Sequence, residues 1–135
     1  MKDELSGRIV LVHPGLEHDP VNRQNHIGVI SHADMMQDDV FVDFEGQQGL
    51  YASDALLVFI DQDDIHRHLA DMAYETPFNE LKALTQIDLF LRYGGDNKER
   101  MAMEIAKANP VIQRYCLESL NDQLYKHLSQ SYGRK

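Results

Sequence analysis

Residues 55–73 read ALLVFIDQDDIHRHLADMA, and the fold turns on the change of texture inside that stretch, at about residue 60. Up to Ile60 the apolar residues come in short runs of β type: RIVLV, HIGVIS, DVFVDF, GLY and ALLVFI. From Asp61 onward they recur with a helical period. The join is the polar run Asp61-Gln62-Asp63-Asp64, with no Gly/Ser- or Pro-rich linker.

Working back from the join, five strands are predicted. They are Arg8–Val12, His26–Ser31, Val40–Phe44, Gly49–Tyr51 and Ala55–Ile60. The third alternates strictly, with Val40, Val42 and Phe44 on one face and Phe41 and Asp43 on the other. Residues 13–25, HPGLEHDPVNRQN, hold two prolines, a glycine and two asparagines and read as a long loop. Residues 32–38 read as a connector, Glu45–Gln48 as a turn and Ala52–Asp54 as a tight turn.

Working forward, four helices are predicted. Asp63 or Asp64 caps one that runs to about Ala73, with Ile65, Leu69 and Met72 on one stripe. Thr76-Pro77 starts a second that stops at Gly94-Gly95. Asp96 caps a third, with Met101, Ile105 and Ala108 inward. Pro110 opens the last, whose stripe is Leu117, Leu120, Leu124 and Leu128.

The expected fold is therefore α+β, with a five-stranded antiparallel barrel over residues 1–60 and a bundle of about four helices over 61–135, packed on the barrel. A barrel of that size alone is marginal, because small domains bury too little surface. The strand-and-turn pattern of Gly7–Val12, Ile27–Ile30, Val40–Phe44 and Tyr51–Leu56 resembles the SH3-like small barrels of KOW and Tudor type. The resemblance covers residues 7–60 and implies a binding module, with no particular ligand.

Charge narrows the partners. Residues 1–60 hold three basic residues (Lys2, Arg8, Arg23) and ten acidic ones, a net of −7; residues 61–135 carry −2. Phosphate backbones are held by clustered Lys and Arg. The charge therefore disfavours nucleic-acid binding through the barrel, and an anionic membrane surface equally. The longest apolar runs are too short to cross a membrane, and the N-terminal MKDELSG has no run of signal-peptide length. One cysteine, Cys116, leaves no internal disulfide. The expected location is cytoplasmic.

Two constellations carry the functional expectations. Phe41, Asp43 and Tyr51 combine aromatic faces with a carboxylate, the components of a cation- or peptide-binding surface. His13, His18, Asp19, His26 and His32 lie in or beside the long loop and are of the types that hold zinc or a similar divalent ion. Their spacing fits no ligand motif. His66 and His68, two apart on a helix, point in different directions and cannot share an ion. Asp61–Asp64 lacks the glycine and distal Glu of a calcium loop. No nucleophile motif or phosphate loop is present, and Cys116 reads as a buried thiol. The first reading is a non-enzymatic protein-interaction or adaptor module with a protein or peptide partner, and homo-oligomerisation through the C-terminal leucine stripe as an option. The alternative is a metal-binding protein or metal-dependent enzyme using His13–His32.

Overall fold

Alternating apolar residues drive the N-terminal half into strands, because successive side chains in a strand point to opposite faces. The computed structural model describes residues 5–19, 21–72 and 78–133, without the side chains of residues 72, 96 and 127–133. Its strands are β1 (Ile9–Val12), β2 (Ile27–Asp34), β3 (Asp39–Phe44), β4 (Gln47–Tyr51), β5 (Leu56–Phe59) and β6 (Leu117–Ser119). Its helices are α1 (Gln62–Met72), α2 (Phe78–Tyr93), α3 (Lys98–Ala108), α4 (Pro110–Cys116) and α5 (Leu120–Gly133).

The chain divides into two compact units. The first comprises Met1–Val58 and Glu118–Lys135, and the second Phe59–Leu117. The strands form one open sheet in the order β4-β3-β2-β1-β5-β6, and the pairs β1–β2, β1–β5, β2–β3 and β3–β4 are antiparallel.

This corrects the expected five-stranded barrel with a four-helix bundle. The sheet has six strands and is open, and there are five α-helices among the described residues. The physical reason lies at β5. Its outer edge is taken by β6, so it does not close against β4. The same strand cuts the expected helix from Pro110 to Leu128 in two. Ser119 ends the break as an N-cap, its Oγ accepting the Asp122 N–H at 3.0 Å.

In the first unit, Val10, Val12, Ile30, Val40, Val42, Phe44, Tyr51, Leu56 and Val58 share one core with Leu120 of α5, and Leu124 packs against it partly buried. The leucine stripe, for which core packing is one expectation and an oligomer seam the option, is used within this core at two of its positions. Leu117 and Leu120 are buried, and Leu128 lies outside the described side chains. Phe44 and Tyr51 meet edge to face at 6.1 Å between ring centroids. Gly28 is closely enclosed in this core: a Cβ there would sit 2.8 Å from the Phe44 ring and closer still to Val42, so those side chains would have to shift.

In the second unit, α2 packs on α1 and α3, and α4 on α2 and α3. The Thr76-Pro77 start lies outside the described residues. The glycine stop holds: α2 ends at Tyr93 and Gly95 takes φ +74°. In α3 the inward residues are Ala102, Met103 and Ala106, not Met101 and Ala108, which are exposed. The helix is rotated by about one residue from the expected stripe, and its small residues allow a close approach to neighbouring helices. Asp88 is buried on α2 and accepts from Gln62 Nε2 at 2.9 Å, with Arg92 and His66 each 3.5 Å away. No helix is long and apolar enough to cross a membrane among the described residues.

Candidate functional site

The sites foreseen in the N-terminal half separate onto two faces of the sheet. The outer face of β2–β4 is built by a hairpin and a bulge. Glu45 and Gly46 form a two-residue turn with φ +54° and +98°, which pairs Phe44 with Gln47, Asp43 with Gln48 and Phe41 with Leu50. Between β2 and β3 the register slips at Ser31, so Ile30 opposes Val42 but His32 opposes Phe41. Without that extra residue His32 would fall opposite Val40, on the core face. The bulge instead turns His32 outward, and its ring stacks on Phe41 at 4.1 Å between centroids and 14° between planes.

Ser31 is held in the bulge from both sides. Its Oγ donates to the Phe41 carbonyl at 3.1 Å and accepts from Gln48 Nε2 at 2.9 Å. Its carbonyl accepts from Ser6 Oγ at 2.9 Å. The outer face thus carries a row, His32–Phe41–Leu50, across three strands. Leu50 is 45% exposed. Carboxylates flank the row: Asp34 and Asp39 oppose each other on one side, and Asp43 stands on the other. No Lys or Arg occurs between Ile27 and Tyr51.

Phe41, Asp43 and Tyr51 are not brought together. Phe41 and Asp43 face outward, whereas Tyr51 opposes Val40 on the core face and is buried. Asp43 Oδ1 accepts the Gly46 N–H at 3.2 Å and so also pins the turn. The Tyr51 hydroxyl donates to Asp19 Oδ1 at 2.8 Å. Burial, and then the Asp19 carboxylate, push its pKa well above the ordinary value of 10.0.

Of the foreseen metal ligands, Asp19 organises the long loop, its Oδ1 also accepting from Val21 N–H and its Oδ2 from Arg23 N–H, both at 2.9 Å. His13 Nδ1 accepts the Gly15 N–H at 2.9 Å, and His26 Nδ1 lies 3.0 Å from the Gln24 carbonyl, each turned onto its own loop. His18 is exposed and His32 lies on Phe41. Among the described residues no three His, Cys, Asp or Glu side chains gather as a metal-holding group. In the second unit His66 faces Asp88, and His68 Nδ1 donates to the Tyr115 carbonyl at 2.8 Å. Cys116 is buried, and burial pushes its thiol up to about 12.

Ser31, Asp34, Asp39, Gln48 and Leu50 are the members of this outer surface that the sequence reading missed. Comparison with protein-family models, with curated proteins and with solved structures finds no match to this chain.

Proposed function

We propose that this chain is a non-enzymatic protein-interaction module whose binding surface is the outer face of β2–β4. The observation that supports this is the His32–Phe41–Leu50 row, an aromatic and aliphatic stripe left open across three strands. Its flanking carboxylates suit a partner that is apolar at its centre and basic at its rim. Five acidic residues and no basic one between Ile27 and Tyr51 favour such a protein or peptide over a nucleic acid.

The test is affinity capture with the wild-type chain and with Phe41→Ala, the two matched by circular dichroism and thermal unfolding. The expected result is a protein held by the wild type and lost from Phe41→Ala. Equal recovery on both, or none on either, overturns the reading.

A further inference from the structure

We propose that the free edge of β4 is a strand-addition site for an extended, Lys- or Arg-bearing segment of a partner protein. This rests on the interaction reading above and specifies the conformation and chemistry of the partner. β4 ends the sheet, and among the described residues no strand pairs with its outer side. The two-residue turn makes Phe44 and Gln47 a mutually hydrogen-bonded pair, and the pairs alternate from there. The N–H and C=O groups of Gln48 and Leu50 therefore point away from β3, toward whatever lies beside the sheet. Added strands settle about 4.8 Å away and bond to such groups.

Free edges in natural sheets are usually guarded by lysine, proline, a bulge or an inward charge. β4 carries none of these itself, and the loop cation on it, Arg23, is held by Gln47 Oε1 over the Phe44 ring, on the face opposite Gln48 and Leu50. Gln47-Gln48-Gly49-Leu50-Tyr51 is uncharged and proline-free, and its register with β3 is unbroken. Charge decides the occupant. A second copy pairing β4 with β4 would set two acidic faces side by side, with Asp43 and Glu45 near the junction in each. A basic segment is complementary instead. An apolar side chain beside Leu50 would extend the Phe41 row. A cation two residues along the same face would lie beside Gln48, within reach of Asp43.

The test uses the full chain labelled with ¹⁵N and the capped peptide acetyl-Lys-Thr-Leu-Thr-Lys-Thr-Leu-amide. Saturable movement of the Gln48 and Leu50 amide resonances is expected. N-methylation of the central leucine and lysine should weaken binding roughly tenfold for each hydrogen bond lost. Glutamate in place of the lysines should abolish it. Equal binding of the methylated peptide, shifts away from β4, no saturable binding, or a wild-type dimer that protects the β4 amides from exchange each overturn strand addition. If the methylated peptide binds as well as its parent while capture still depends on Phe41, strand addition alone fails. If capture ignores Phe41, the surface reading itself fails.

Discussion

The Tyr51 hydroxyl and the Asp19 carboxylate, 32 residues apart in sequence, are joined by a 2.8 Å hydrogen bond. The bond fixes the long loop to the core face of β4. The same carboxylate receives the Val21 and Arg23 backbone amides. Asp19→Ala should therefore cost about 2 kcal/mol, and Tyr51→Phe about 1 kcal/mol, in urea unfolding. A phenol held above its unfolded value of 10.0 contributes stability that is complete below pH 10 and lost as pH rises beyond it. The wild type should thus lose more stability between pH 9 and 11 than Tyr51→Phe does. An equal loss in both would refute the coupling.

Two glycines separate sterics from backbone strain. Gly28→Ala drives a methyl into Val42 and Phe44 and should cost about 2 kcal/mol. Gly46→Ala meets open space but must adopt φ +98°, for about 1 kcal/mol. Denaturant midpoints should fall in that order; the reverse order would mean the core yields more readily than the turn.

The break between α4 and α5 makes its own prediction. Ser119→Ala removes a cap and should cost about 1 kcal/mol. Leu120→Ala leaves a hole in the core and should cost about 3 kcal/mol. If one unbroken helix ran through this point, Ser119→Ala would be neutral or stabilising.

Cys116 should resist thiol reagents at pH 8 in the folded chain, since it is buried and its thiolate is suppressed. Labelling should follow unfolding and accelerate with urea in step with loss of the circular dichroism signal. Rapid labelling under native conditions would contradict its placement.

Much of this architecture is legible in the chain, and the misses have specific causes. The alternation of Val40, Phe41, Val42, Asp43 and Phe44 gives β3 and its two faces correctly, because period two survives any neighbour. Phe41 on the outer face follows. Tyr51, grouped above with Phe41 and Asp43, is separable from them by the same rule. A turn of two or of four residues after Phe44 leaves Tyr51 on the face of Phe44, so pairing parity already separates it from Phe41. His32 is not legible in this way, because one extra residue at Ser31 reverses the parity and no composition marks that bulge. β6 is hidden for another reason. Leu117-Glu118-Ser119 has no strand pattern of its own and takes its conformation beside β5. Yet Ser119-Leu120-Asn121-Asp122 carries a helix-start signature within the leucine stripe. Spacing alone runs straight through it.

The first unit is discontinuous in sequence, with Phe59–Leu117 inserted between its two parts. During synthesis the chain emerges in order, so β1–β5 appear well before Leu120, which completes their core. The inserted helical unit is contiguous and needs no residue of the first to complete it. The second unit can thus close on its own residues, whereas the sheet's core stays unsealed until the segment beyond that insertion returns to it.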